Sequence, residues 1–119
     1  MEPKTKEIDG KKVKVAPFTG SVANKMFVQF SQVFDIARGK LLPVVDPDTF
    51  QDFCEKMLQG TAVDGLNITA KNESGMPNFD VIFAGKIDFL YDVLTWAGEV
   101  NFGKGFLDSS ARTGTIAAE

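Results

Sequence analysis

Residues 78–106 read NFDVIFAGKIDFLYDVLTWAGEVNFGKGF, the longest periodic stretch in the chain. Phe83, Ile87, Leu90, Leu94 and Ala97 recur at spacings of three and four, so one face of a helix is apolar. Phe79, Ile82, Phe89, Val93, Trp96 and Val100 widen that stripe, as in a central helix packed on more than one side. The spacing predicts one helix over residues 80–100, with Asn78 or Asp80 capping its start. Lys86, Asp88, Asp92 and Glu99 interrupt it, and it is too short to span a bilayer, so no membrane partner is expected. Beyond Val100, Gly103 and Gly105 end the helix and leave Phe102 and Phe106 on a turn.

Upstream, TKEIDGKKVKV over residues 5–15 carries Asp9-Gly10 between two short runs, a hairpin signal. Residues 1–14 hold five lysines against three acids, and the rest of the chain eight basic against thirteen acidic residues. The lysines either meet an acidic partner or guard an edge strand against aggregation, and the second reading needs no partner. A helix over residues 21–38 starts at Thr19 or Ser21, has a broad apolar face that includes Met26, Phe27, Phe30 and Phe34, and stops at Gly39. That face serves as core or as a peptide groove. Asp46-Pro47 opens a third helix, residues 47–59, with apolar Phe50, Phe53, Cys54, Met57 and Leu58. Asp46, Asp48 and Asp52 lack the turn glycine and distal glutamate of a calcium loop, and helix capping accounts for them. TAVDGLNITA, residues 61–70, predicts a second short hairpin around Asp64-Gly65. The fold class is therefore α+β, predominantly helical. One domain spans residues 1–107 and a small, polar, fraying tail follows from 108 to 119. Phe30, Phe34, Phe53, Phe83, Ile87 and Leu94 are the expected core.

Several function classes drop out. The chain has no histidine, which removes Ser–His and Cys–His couples and histidine metal ligands. One cysteine cannot build a thiolate zinc site or an internal disulfide, and fits a reducing compartment. The first ten residues, MEPKTKEIDG, contain no apolar run of the secretory-signal kind, so a cytosolic location is expected. The net charge of −3 offers no basic surplus for phosphate neutralisation, so no nucleic-acid partner is expected. GKGF and SGMP do not make a nucleotide-binding fingerprint. Asp88 and Asp92 share a helix face with Glu99 two turns on, either as a carboxylate site or as a solvated acidic face. No nucleophile or base stands beside them, and no enzyme, metal or cofactor is expected. Eleven phenylalanines against one Trp and one Tyr point to a Phe-built core, with apolar surface to spare for a homo-oligomer.

The order of motifs resembles the tail assembly chaperones of tailed phages and prophages. The resemblance rests on Ile8-Asp9-Gly10-Lys11, on Phe79, Asp80 and Phe83 of an F-D-x-x-F segment, and on Glu99, Val100, Asn101, Phe102, Gly103 and Phe106 of an E-V-N-F-G turn. Lys104-Gly105 departs from the acidic and aromatic residues of that family's pattern. The resemblance implies a non-enzymatic protein of the infected host's cytoplasm, absent from the finished virion. It would bind the tape measure protein and help recruit tail tube subunits. The alternative is a structural tail or baseplate component. Exposed Phe102 and Phe106 beside Trp96, rimmed by Asp88, Asp92 and Glu99, would give a client-binding patch. In the competing arrangement both rings only cap the helix end.

Overall fold

The computed structural model describes residues 2–37, 40–103 and 106, and of residues 36, 37, 40 and 41 the backbone alone. The expected 108–119 tail, Arg38 and Gly39 lie outside the described residues. The architecture is α+β, with the N-terminal hairpin and the second short hairpin both present.

Strands β1 (Lys4–Ile8) and β2 (Lys11–Val15) pair antiparallel through Asp9-Gly10, with φ of 54° and 77°. Two successive positive φ values make the tight turn whose twist suits a hairpin, and Asp-Gly tolerates them. The second hairpin repeats the device: β5 (Thr61–Val63) and β6 (Leu66–Asn67) turn at Asp64 and Gly65, with φ of 49° and 85°. The two hairpins join through β2 and β5 into one antiparallel sheet of order β1-β2-β5-β6. Asp64 locks the join, because its carboxylate accepts from the Lys12 amide at 2.9 Å while its own amide donates to the Lys12 carbonyl at 2.8 Å. Val13, Val15, Thr61 and Val63 turn inward and Lys12 and Lys14 outward. Edge strand β1 keeps its lysines exposed. By register Lys4 and Lys6 share the inner face with Val15 and Val13, and inward charge of that kind discourages strand addition at an edge.

Helix α1 runs Gly20–Val33, five residues short of the expected end at 38. Phe34 is extended (φ −115°, ψ 142°) and opens β3 (Phe34–Ala37), which pairs with β4 (Lys40–Pro43) in a separate two-stranded sheet. The periodic pattern could continue through Phe34, but pairing with the next segment satisfies the same backbone groups, and Phe34 stays in the core at 3% exposure. Helix α2 (Pro47–Met57) begins as its sequence dictates. The Asp46 carboxylate accepts from the Thr49 amide at 3.1 Å and its hydroxyl at 2.6 Å, with Pro47 at the first helical position.

The expected single helix over 80–100 is two: α3 (Asn78–Ile82) and α4 (Ile87–Phe102). Gly85, at φ +69°, sits in the break, and the Lys86 amide donates back to the Phe83 carbonyl. A glycine inside an apolar periodic run was the available signal. Neither Asn78 nor Asp80 caps α3; Pro77 holds that position, and the Asn78 amide group reaches the Asn67 carbonyl instead. The break turns Ile87 out of the core to 59% exposure, correcting its expected place, while Phe89 and Leu90 go in. Central α4 packs on α1, α2, β1 and β2. The other five expected core residues are buried at 4% exposure or less.

The Phe surplus is spent mostly inside. Phe30 meets Phe34, Phe53, Phe102 and Phe106 at centroid separations of 4.8–5.8 Å, three of the four edge-to-face. Such offset pairs add about 0.5–1.5 kcal/mol each beyond burial. Of the eleven rings only Phe27 reaches 38% exposure. The large side chains left outside are mainly aliphatic, Ile87, Val44, Val81 and Val28 among them.

Candidate partner-binding site

The end of α4 is pinned before it turns. Asn101 accepts from the Phe18 amide at 2.7 Å through Oδ1 and donates to the Ala97 carbonyl at 3.0 Å through Nδ2. One side chain thus ties the helix end to the segment entering α1, 83 residues away in sequence. Gly103 then takes φ +106° and stops the helix. Phe106 folds back to 4% exposure against Phe30 and Phe102. It lies over Gly98, where a Cβ would come within 2.8 Å of its Cε1 and closer still to its Cζ. Gly98 is the hole that admits the ring.

An exposed Phe102–Phe106 pair beside Trp96 is therefore not formed. Phe106 belongs to the core, and Phe102 is half-buried against Phe27 at 5.2 Å and Phe30 at 5.6 Å. Six residues of helix place Trp96 about 120° round α4 from Phe102, at 3.6 residues per turn. What remains open at this end is a groove of about 340 Å³ with Phe27 and Phe102 in its wall, beside Ala23 and Asn24.

Trp96 lines a different cleft, between α4 and the N-terminal hairpin. Lys6 Nζ stands 5.4 Å from the ring centroid, within cation–π range. Asp92, Thr95 and Glu99 face Lys6, Glu7 and Ile8 across it. The acids do share this face: Asp88 and Asp92 are exposed and Glu99 half-buried. Desolvation pushes the Asp92 carboxyl above its usual range, helped by repulsion from Asp9 and Asp88 and opposed by Lys6.

The third opening was not anticipated. At the α3–α4 break, Phe79, Asp80 and Phe83 form a groove of about 360 Å³ with Phe50, Leu90 and the exposed Ile87. Its floor is core, with Phe79, Phe83 and Leu90 at 8%, 4% and 3% exposure. Sequence reasoning had put these rings on the buried stripe of one long helix, and only the turn at Gly85 brings them to a shared lip with Ile87. Asn101 and Gly98 were also missed as organisers. Gly98 carried a signal, since glycine inside a helix costs about 1 kcal/mol relative to alanine unless something needs the space.

No helix among the described residues is long and apolar enough to cross a membrane. No curated protein and no solved structure matches the chain significantly. A family model described as phage tail assembly chaperone protein, TAC, matches residues 11–114. That span takes in β2, the second hairpin and all four helices but not β1 or the turn at Asp9-Gly10, and the chain belongs to the phage tail assembly chaperone family.

Proposed function

We propose that this chain acts without catalysis in the host cytoplasm, binding the tape measure protein of a phage tail and helping recruit tail tube subunits around it, and that it leaves before the virion is complete. What supports the reading is family membership together with the apolar surface left outside a filled core. The Phe27–Phe102 groove, the Trp96 cleft and the groove at the α3–α4 break all open along the length of α4. A long apolar helix needs shielding at successive positions, and apolar grooves with i, i+4 spacing suit that task. Asp88, Asp92 and Glu99 then steer basic client residues, affecting association rate more than affinity. Self-association of the client-free protein belongs to the same reading, with the weakly charged outer face of α1, carrying exposed Val22 and Val28, as the surface that two negatively charged copies can share.

The test is co-expression with fragments of the tape measure protein, with and without this chain. Fragments that stay soluble and co-purify only in its presence support the reading. Fragments equally soluble without it, or a stoichiometric band of this chain in purified virions, count against it and favour a structural tail component.

A further inference from the structure

We propose that the groove at the α3–α4 break seats an amphipathic helix with an apolar face and basic flanks; the identity of that helix as part of the tape measure protein rests on the function proposed above. Three observations carry the assignment. First, the opening of about 360 Å³ falls within the roughly 300–1,000 Å³ of ligand sites, and its walls are apolar except for Asp80, Gln51 and backbone. Its floor of Phe79, Phe83 and Leu90 is fixed by the core, so docking there orders little of the chaperone itself. Second, Ile87 stands at the lip with 59% of its surface in water although every neighbour on its helix turn that faces inward is buried. A side chain in that position gains from any apolar partner.

Third, the charge next to the lining residues is mostly negative. Asp80 lines the groove, Asp46 and Asp48 adjoin Pro47 in sequence, and Asp88 and Lys86 adjoin Ile87. Helix N-termini account for part of this, each contributing about half a positive charge. With α2 and α4 both starting here, their dipoles and Lys86 amount to about +2 against four carboxylates, which leaves about −2. Among the described residues the salt bridge found is Lys56–Asp52, and none of these four acids enters it. A helix flanked by lysine or arginine complements the lip, and one flanked by acids is repelled.

The experiment uses the full chain and two kinds of probe: overlapping peptides spanning the tape measure sequence, and a pair of designed helices, one Leu/Lys and one Leu/Glu. Binding is followed by fluorescence anisotropy at low and high salt. The Ile87→Asp variant tests the lip, and because Ile87 is exposed its fold should be unchanged by circular dichroism. Val81→Asp is the control, an exposed aliphatic on α3 that does not line the groove. The expected result is that the parent and Val81→Asp bind the Leu/Lys helix and a basic tape measure peptide alike. Ile87→Asp weakens both by about tenfold or more, equivalent to about 1.4 kcal/mol or more. Salt weakens binding, and the Leu/Glu helix is ignored. Ile87→Asp binding like the parent, or equal binding of the two designed helices, overturns the proposal. So does an Ile87→Asp variant that dissociates a self-associated parent yet still binds peptide, since the groove would then join two copies. Loss of the Leu/Lys helix in Ile87→Asp with no tape measure peptide bound by any form upholds the groove and refutes the tape measure reading.

Discussion

Gly98→Ala should be destabilising in the parent and stabilising once Phe106 is gone. In the parent the new methyl would lie within 2.8 Å of Phe106 Cε1 and closer to its Cζ, so the ring must move. The ring is 4% exposed and meets Phe30 and Phe102 at 5.3 and 5.5 Å, which leaves it little room. Overpacking of this kind costs about 1–3 kcal/mol. Alanine gains back about 1 kcal/mol of helix propensity. The net expectation is a loss of about 0–2 kcal/mol, with a midpoint of about 1. Phe106→Ala alone removes a buried ring and costs about 3 kcal/mol, at the low end for such truncations because the residue is beyond the end of the helix. In that background nothing opposes the methyl, and Gly98→Ala should stabilise by about 0.5–1 kcal/mol, giving a coupling of about 2 kcal/mol between the two sites. Urea denaturation of the four proteins measures each free energy and checks that the slope is constant. A coupling below about 0.5 kcal/mol, or Gly98→Ala with one sign in both backgrounds, would refute the packing of Phe106 into the Gly98 hole. By the same packing, Phe102→Ala with Phe106→Ala should lower the melting temperature clearly, and a binding defect in that double variant would say nothing about a client surface.

Asn101→Ala should cost about 1–2 kcal/mol in the same assay, because the part-buried Phe18 amide loses its acceptor. Burial first, then the Glu55 carboxylate, pushes the Cys54 thiol up to about 12, so the folded protein should resist maleimide at about pH 8 and react only as it unfolds; immediate labelling would contradict the buried position. The Thr49 hydroxyl, then its amide, hold Asp46 below the usual carboxylate range. Its stabilisation is therefore present above the unfolded-state pKa and lost as pH falls through the lowered one, and Thr49→Val should flatten that part of the acid-denaturation profile. Asp92 is shifted the other way, by desolvation first, so its ionisation opposes folding as pH rises through the carboxylate range. Asp92→Asn should match the parent at low pH and exceed its stability at neutral pH.

What the sequence made legible was chemistry confined to a few neighbouring residues. Asp9-Gly10 and Asp64-Gly65 specify their turns because few dipeptides accept two positive φ values, and both hairpins formed there. Asp46-Pro47 specifies a helix start for the same local reason. The breaks were less legible. Spacings of three and four across residues 79–97 fit one long helix or two short ones equally well, and Gly85 chose between them only once its φ was fixed. Residues 34–37 could extend α1 or pair with 40–43, a competition between two ways of satisfying the same backbone groups. Of the expected site, the shared face of Asp88, Asp92, Trp96 and Glu99 followed from helix geometry. The fold-back of Phe106 did not, because it depends on a hole at Gly98 and on Phe30 from another helix, contacts that no local pattern encodes.

Counting phenylalanines therefore misjudges where apolar surface is available. A Phe ring offers roughly 150–250 Å² to bury, worth about 4–6 kcal/mol at 25 cal/mol per Å², so a small domain with eleven of them gains most by interlocking them, as Phe30 does with its four neighbours. An aliphatic side chain left outside forgoes less, and Ile87 keeps part of its surface covered even so. Exposed Val22, Val28, Val81 and Ile87 are thus side chains the fold can leave in water at modest cost, scattered singly or beside carboxylates on a chain of net charge −3. Scattered exposure of this kind keeps apolar patches small enough for solubility. It also sets the style of partner the surface can hold. Phe27, Phe102 and Trp96 are spread over two of the openings, so affinity for a helix accumulates from several shallow contacts, each separately reversible. If the function proposed above holds, covering a long helix and later giving it up to other subunits is better served by that arrangement than by one deep anchor, whose loss would have to precede every release.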